Sequence, residues 1–346
     1  MKATLHTGDA LTVLRTLPAG SARCCVTSPP YWGLRDYGTA GQLGIERTPE
    51  EYVANLVEVF REVRRVLADD GTLWLVLGDT YTQSARGRIG DASTLSGGTS
   101  NQNQSRAELV SRAKCPDGLK PKDLVGIPWR LAFALQADGW YLRRDIIWHK
   151  ENPMPESVRD RPTSAHEYVF LLSKAARYHY DAAAIAEPGV TAASENYPAR
   201  ARATGRGQQG AANARGNDRD KSGGFPPRKT EKQRGHGRRH AGFNDRWDAM
   251  KRDEQSGYLR NARSVWTIAT RPYPGAHFAT FPEELARRCI LAGSAPGDTV
   301  LDPFAGSGTV GAVATGHGRG AILIELNPTY VQLQQERIGM LLCAEA

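Results

Sequence analysis

The sequence lacks any long apolar run. Its most hydrophobic stretches, Thr72–Leu77 and Ile322–Leu326, are far shorter than the roughly 20 apolar residues that a helix needs to cross a bilayer. The first ten residues contain no apolar signal segment either. We therefore expect a cytoplasmic protein that does not contact a membrane.

Cysteine is also scarce. The five cysteines are an odd number, and they form neither a Cys-X-X-Cys pair nor a cluster with histidine. This distribution argues against a disulfide framework and against a structural zinc site, so we predict no bound metal. Cys24 and Cys25 lie within a predicted strand, which indicates core residues and not nucleophiles.

Positive charge is concentrated in one segment. The 346-residue chain has 45 Lys and Arg against 37 Asp and Glu, and Arg200–Arg263 contains 17 of the basic but only 7 of the acidic residues. That segment has a net charge of +10, whereas the remainder, with 28 basic and 30 acidic residues, has −2. Such a local excess indicates a polyanionic partner.

Apolar patterning predicts an α/β fold, with a mostly parallel twisted sheet and helices on both of its faces. Predicted strands cover Ala3–His6, Cys24–Val26, Thr72–Leu77, Trp140–Trp148, Glu167–Leu172, Thr299–Leu301 and Gly320–Ile324. Predicted helices cover Glu50–Leu67, Ile127–Ala137, Pro282–Leu291 and Thr309–Thr315. Gly71 is expected to end the first of these helices.

Two polar segments interrupt this pattern. Residues 82–122 are rich in Ser, Gly, Asn and Gln, and residues 191–264 are rich in Gly, Arg and Asn. Loops of this length are usually functional or disordered. We expect a catalytic domain formed by 1–190 and 265–346, with a polar loop at 82–122 and a basic insert at 191–264 that is partly disordered or orders on its partner.

A glycine-rich turn follows the predicted strand Thr299–Leu301. It has the sequence Asp302-Pro303-Phe304-Ala305-Gly306-Ser307-Gly308-Thr309 and opens a helix, whose free N–H groups suit a ligand. The next strand ends at Glu325, where an acid can bind both hydroxyls of a ribose. No Lys follows Gly308 and an Asp precedes the turn, so a nucleoside is favoured over a phosphate. The alternative is a turn required only for packing.

A second turn follows the strand Cys24–Val26, with the sequence Thr27-Ser28-Pro29-Pro30-Tyr31-Trp32. Two prolines restrict the backbone and remove two N–H donors, so carbonyls and the Ser28 hydroxyl remain beside two aromatic rings. That combination suits a flat base with an amino group. The alternative is a diproline turn with packed aromatic side chains.

Together the two turns resemble a known family. Ser-Pro-Pro-Tyr with Asp-Pro-Phe-Xaa-Gly-Ser-Gly-Thr is similar to the motif pair of S-adenosylmethionine-dependent amino-group DNA methyltransferases, which modify cytosine-N4 or adenine-N6. The catalytic motif precedes the cofactor motif, as in the permuted order called the beta class. Weaker matches follow in the expected order, at Gly8-Asp9, Arg65–Leu67 with Gly71, Ile147–Asn152, His166-Glu167 and His277–Arg288.

The resemblance implies a Rossmann-like methyltransferase fold with 191–264 as the target-recognition insert. It implies that the catalytic residues are Ser28, Pro29, Pro30 and Tyr31. It also implies that the cofactor is bound by Asp302, Phe304, Gly306, Gly308 and Thr309, its ribose by Glu325, its adenine amino group by Asp9 and its methionine end by Phe281 and Pro282. Two alternatives stay open: Asp9 only caps the following helix, and Phe281-Pro282 only begins one.

In the implied reaction the target base is flipped out of duplex DNA. Ser28 Oγ and the Pro29 carbonyl accept the amino hydrogens, Tyr31 stacks on the base, and S-adenosylhomocysteine is the product. In this family Ser at position 28 is associated with cytosine-N4 enzymes, so we predict N4 methylation. The alternatives are an adenine-N6 enzyme, an RNA methyltransferase and a non-catalytic nucleic-acid-binding protein. The sequence leaves a homodimer and a companion restriction endonuclease open.

Overall fold

The computed structural model describes residues 1–34, 38–82, 115–116, 118–188, 259–270 and 282–345. The chain divides into two compact units, Met1–Ile185 with Arg263–Ala346, and Ala186–Ala262. The described part of the second unit contains a pair of antiparallel strands, Glu187–Pro188 and Leu259–Arg260. Most of the predicted basic insert and the centre of the predicted polar loop lie outside the described residues.

The described chain contains both strands and helices, and they alternate in its first and last parts. The strands are β1 Ala3–Thr7, β2 Ala22–Thr27, β3 Leu67–Leu77, β4 Tyr141–His149, β5 His166–Ser173, β6 Glu187–Pro188, β7 Leu259–Arg260, β8 Val265–Thr267, β9 Thr299–Asp302, β10 Gly320–Glu325 and β11 Cys343–Glu345. The α-helices are α1 Ala10–Thr16, α2 Pro49–Val66, α3 Ile127–Ala137, α4 Glu283–Gly293, α5 Thr309–Gly316 and α6 Pro328–Ile338. None of these described helices combines the length and the apolar character needed to span a bilayer.

Among the described residues, the centre of the first unit is a nine-stranded sheet with the order β11-β1-β10-β9-β2-β3-β5-β4-β8. Its strand pairs run parallel except those of β5, which is antiparallel to both β3 and β4. The carboxyl ends of β1, β10, β9, β2 and β3 therefore share one edge of the sheet. Loops at this edge of an open parallel sheet are where ligands bind.

Helices cover both faces of the sheet because its central strands are apolar on both sides. Side chains on one face pack against α4, α5 and α6, and those on the other pack against α1, α2 and α3. Cys24 and Cys25 show the alternation, since they are buried on opposite faces. All five cysteines are free thiols, and burial raises the pKa of Cys24 to about 12, as expected for a core residue.

The prediction that Gly71 ends the first long helix was wrong. Helix α2 ends at Val66, and β3 begins directly at Leu67, so Gly71 lies inside the strand. A Cβ atom at Gly71 would lie 2.9 Å from the Ala68 carbonyl oxygen and 3.0 Å from that of Arg23. The glycine is therefore required by a close backbone approach near an irregularity in the β2–β3 pairing.

Gly293 ends α4 at a point where the helix touches the sheet. A Cβ there would lie 2.6 Å from Cys24 Sγ and 2.7 Å from Trp74 Nε1. We predict that Gly293→Ala lowers the free energy of unfolding by about 1–3 kcal/mol, as overpacking does in cores. Urea denaturation followed by circular dichroism measures the change.

The matched control is Gly316→Ala at the end of α5, where an added Cβ meets no atom of the described residues within 4 Å. Alanine there should leave stability unchanged or raise it by roughly 0.5–1 kcal/mol. Equal losses of stability in the two variants would contradict the packing explanation.

Candidate active site

The two predicted motif turns lie side by side. They follow β9 and β2, which are adjacent parallel strands paired at Leu301 and Cys25. At the end of the strands the Thr27 hydroxyl donates a buried hydrogen bond of 2.7 Å to Asp302 Oδ1. Both turns therefore lie next to each other at one edge of the sheet.

Asp302 is a buried acid in the middle of this junction. Its Oδ1 also accepts a 3.1 Å hydrogen bond from the Phe304 N–H. Burial, together with the nearby negative charge of Glu325, raises the pKa of Asp302 to about 7, although the bonds from Thr27 and Phe304 oppose this shift. The carboxyl group thus orders the start of the glycine-rich turn from inside the protein.

The glycine-rich turn needs left-handed backbone at two positions. Gly306 has φ of 51° and Gly308 has φ of 77°, a region that side chains disfavour. A Cβ at Gly308 would lie 2.9 Å from Gln334 Cγ, so this position also lacks room for a side chain. The first turn of α5 begins immediately afterwards at Thr309.

Glu325 ends β10 beside this turn. Its Oε2 accepts from the Gly306 N–H at 2.8 Å and its Oε1 from the Asn327 N–H at 2.9 Å. Burial raises the pKa of Glu325, and these backbone donors oppose the rise. Each carboxylate oxygen has a second lone pair, so the group can accept two further hydrogen bonds from a diol.

Helix α6, which was not predicted from the sequence, supports the turn. The buried Gln334 donates to the Gly306 carbonyl at 2.8 Å. Arg337 donates to the hydroxyls of Ser307 at 3.0 Å and Thr309 at 2.8 Å. The available signal was Asn327-Pro328, an N-cap residue followed by proline at the first helical position.

Asp9 lies at the carboxyl end of β1, next to β10. The Gly8 N–H donates to the Glu325 carbonyl at 2.9 Å, which joins the two strand ends. Asp9 caps α1, because its Oδ1 accepts from both the backbone N–H and the hydroxyl of Thr12 at 2.8 Å. Its exposed carboxylate retains the lone pairs of Oδ2 for a ligand.

The other predicted cofactor residues have different surroundings. Phe304 is half-buried and packs against the core on the α1–α3 face. Pro282 is buried and is the residue before α4, so its role as a helix start is realised. Phe281 lies outside the described residues.

The diproline turn is held from two sides. The buried Tyr52 of α2 donates to the Pro30 carbonyl at 2.7 Å, and Pro29 is itself buried. On the other side, a Cβ at Gly44 would lie only 3.0 Å from the Tyr31 carbonyl oxygen. Ser28 remains half-buried at the tip of the turn.

Tyr31 connects the turn to β5. Its hydroxyl donates to Glu167 Oε2 at 2.6 Å and lies 3.4 Å from Ser28 Oγ. Burial and the negative charge of Glu167 raise the pKa of Tyr31 well above its usual value, so the phenol stays protonated. Lys150 pairs with the other oxygen of Glu167. Glu167 and Lys150 lie in stretches that match weaker motifs of the family, but neither residue has a role predicted from the sequence.

The residues near Glu325 fit a nucleoside. They combine an acid aimed at the turn, glycines that permit close approach and the start of a helix. The basic side chain at this turn, Arg337, is already bound to Ser307, Thr309 and Glu283. Among the described residues no group of three or more His, Cys, Asp or Glu is placed to hold a metal ion.

Comparison with known proteins shows what the chain is related to. Residues 22–336 match the model of the N6/N4 DNA methylase family. The chain is 46% identical over 337 residues to the Type II methyltransferase M.Cfr9I of Citrobacter freundii, covering 97% of this chain and 87% of that protein. The chain therefore belongs to the N6/N4 DNA methylase family. It is a DNA methyltransferase, as its sequence resemblance predicted.

Solved structures confirm the fold. A putative DNA modification methylase of Thermus thermophilus, complexed with S-adenosyl-L-methionine, has a TM-score of 0.55 at 23% identity, covering 99% of this chain and 97% of that one. The PvuII DNA methyltransferase, described as cytosine-N4-specific, has a TM-score of 0.56 at 18% identity, covering 97% and 86%. The predicted Rossmann-like methyltransferase fold is therefore confirmed.

The pKa of Asp302 leads to a prediction about stability. Between pH 4 and 7 the unfolded chain ionises at this residue while the folded protein keeps the proton, so this group's contribution to stability is lost as the pH rises. Asp302→Asn cannot ionise. The free energy of unfolding of Asp302→Asn, minus that of the wild type, should therefore increase from pH 4 to 7 and stay level above pH 8.

Denaturant unfolding at a series of pH values measures this difference. For Thr27→Val, the free energy of unfolding minus that of the wild type should instead decrease as the pH rises. The variant lacks the hydroxyl that stabilises the ionised Asp302 carboxylate. A difference between Asp302→Asn and the wild type that is constant across this range would contradict the assigned pKa.

Proposed function

We propose that this chain transfers a methyl group from S-adenosylmethionine to the exocyclic N4 of cytosine in duplex DNA. The observation that carries the proposal is the hydrogen bond from Thr27 to Asp302, which brings the Ser28 turn beside the nucleoside-type turn. Positioning two reactants side by side is the main contribution a protein makes to such a transfer.

The cofactor would be held by the edge formed by β1, β10 and β9. Glu325 binds the ribose hydroxyls, Asp9 the adenine amino group, and the backbone from Phe304 to Thr309 encloses the nucleoside. Pro282 and Phe281 are proposed for the methionine end. When bound, S-adenosylmethionine supplies an electrophilic methyl group on a positively charged sulfur.

The target base would enter beside Ser28. An aromatic amine is a poor nucleophile because the lone pair of its nitrogen is delocalised into the ring. The protein must therefore hold the amino hydrogens so that this lone pair leaves conjugation and points at the methyl group. Ser28 Oγ and the Pro29 carbonyl accept those hydrogens, and Tyr31 stacks on the base. These contacts require a base flipped out of the duplex.

Cytosine is proposed over adenine because of Ser28. In the family that the motifs resemble, a serine at this place is associated with cytosine-N4 enzymes, and an Asp or Asn with adenine-N6 enzymes. A neutral hydroxyl is a weaker acceptor than a carboxylate, which gives the association a chemical basis. The PvuII neighbour, described as cytosine-N4-specific, is consistent with this choice.

Duplex DNA is the proposed macromolecular partner. The basic segment Arg200–Arg263, with its net charge of +10, is proposed to contact phosphates and base edges. Its described part is limited to the end of the segment, from Leu259 onward. A homodimer and a companion endonuclease are not required by the proposed reaction.

The test is methyl transfer from isotope-labelled S-adenosylmethionine to unmethylated genomic DNA, followed by digestion to nucleosides. The wild type should label N4-methylcytosine. Ser28→Ala should lower the transfer rate at least ~100-fold, because an acceptor at the reacting amine is lost. Its affinity for S-adenosylmethionine, measured by calorimetry, should change less than about twofold because Ser28 is on the other turn.

Each other outcome has a definite meaning. Label in N6-methyladenine would reject cytosine and favour the adenine alternative. Binding of DNA without any transfer or cofactor binding would favour a non-catalytic nucleic-acid-binding protein. Full activity of Ser28→Ala would remove the role assigned to its hydroxyl.

A further inference from the structure

A chain of hydrogen bonds runs from the diproline turn to a charged pair. Ser28 Oγ lies 3.4 Å from the Tyr31 hydroxyl, which lies 2.6 Å from Glu167 Oε2, and Lys150 Nζ contacts Glu167 Oε1. Glu167 and Lys150 are mostly buried, with side chains 16% and 21% exposed. The 3.4 Å separation is long for a hydrogen bond between two hydroxyls, and bonds of this kind in free enzymes often shorten when the substrate binds.

The functional groups in this series of hydrogen bonds allow only one direction of donation. An ionised carboxylate only accepts, so the Tyr31 hydroxyl must donate to Glu167. The Tyr31 oxygen is then available only as an acceptor, so the Ser28 hydroxyl donates to it. The lone pairs of Ser28 Oγ are consequently left for another donor.

We propose that Glu167 is a positioning residue, which sets the direction of this chain so that Ser28 meets the amino group of the target base as an acceptor. The inference rests on the proposed function. It adds a specific requirement, because a hydroxyl that pointed its hydrogen at the amine would repel it. Glu167 acts through Tyr31 and does not itself touch the base.

Neighbouring residues hold the side chains of this hydrogen-bond series in place. A Cβ at Gly78 would lie 2.8 Å from Tyr31 Cε2 and 3.3 Å from Glu167 Cδ, so only glycine leaves room for both side chains. Lys150 Nζ lies 4.8 Å from the centre of the Trp148 ring, a cation–π contact that holds the ammonium over β4. Trp148 pairs with Glu167 across the β4–β5 ladder.

Replacing Glu167 by glutamine should reverse the direction of donation along these hydrogen bonds. The Lys150 ammonium only donates, so the amide oxygen of glutamine turns toward it and the NH2 group faces Tyr31. Tyr31 then donates to Ser28, and the Ser28 hydrogen points at the amine. Removing the Tyr31 hydroxyl should cancel this reversal, because Ser28 is then free to rotate.

The experiment compares Glu167→Gln, Tyr31→Phe and the double variant in the full chain. The measured quantities are kcat for labelled methyl transfer to DNA and the Kd of S-adenosylmethionine. We expect kcat to fall at least about tenfold in Glu167→Gln and by a smaller factor in Tyr31→Phe, which loses the hydroxyl but keeps the ring that stacks on the base, with each Kd within about twofold of the wild type. The double variant should recover to within about twofold of Tyr31→Phe.

Recovery in the double variant supports the proposal, because a general loss of structure would make the two effects multiply. A double variant as slow as Glu167→Gln, or a Glu167→Gln variant with wild-type kcat, overturns it. Glu156→Gln is the control, because Glu156 is also a carboxylate paired with a basic side chain, but its bonds go to Arg161 and Ser164. The wild type is measured first, so failure of the proposed function itself appears as absence of transfer before any variant is compared.

Discussion

The site depends on one buried hydrogen bond, from Thr27 at the end of β2 to Asp302 at the end of β9. It joins the two halves of the site at the level of the strands, where backbone pairing leaves little freedom. Burying Asp302 opposes its ionisation, and the retained hydrogen bonds offset part of that cost. This contact fixes where the two loops begin relative to each other.

Much of this arrangement was predictable from the sequence, because each motif follows a short apolar run that is typical of a buried strand. The strand–turn–helix context of Asp302–Thr309 and the strand–turn context of Thr27–Trp32 predicted two loops at one edge of a parallel sheet. The mostly parallel sheet with helices on both faces was also predictable, since Thr72–Leu77 is apolar without alternation. In such a sheet, the carboxyl ends of neighbouring strands meet.

The supporting contacts were not predictable, because they join residues far apart in the chain. Glu167 and Tyr31 are 136 positions apart, and Gln334 and Gly306 are 28 apart. Nothing in the local pattern around Glu167 or Lys150 indicates a partner. The incorrect prediction for Gly71 has a partly related cause, because one of its two close backbone contacts is with Arg23 on another strand, although the other is with the nearby Ala68. Roles that arise only from such long-range contacts need coordinates.

The reversed direction of β5 has a further consequence. Because this strand runs against both of its neighbours, its amino end, with Glu167, reaches the edge where the others finish. Under the proposed function, β1, β9 and β10 border the side that would hold the nucleoside, whereas β2, β4 and β5 border the side that would receive the base. The segment between β4 and β5 leads into the amino end of β5, so a substitution there would reach the proposed base side without touching the strand ends that border the nucleoside side.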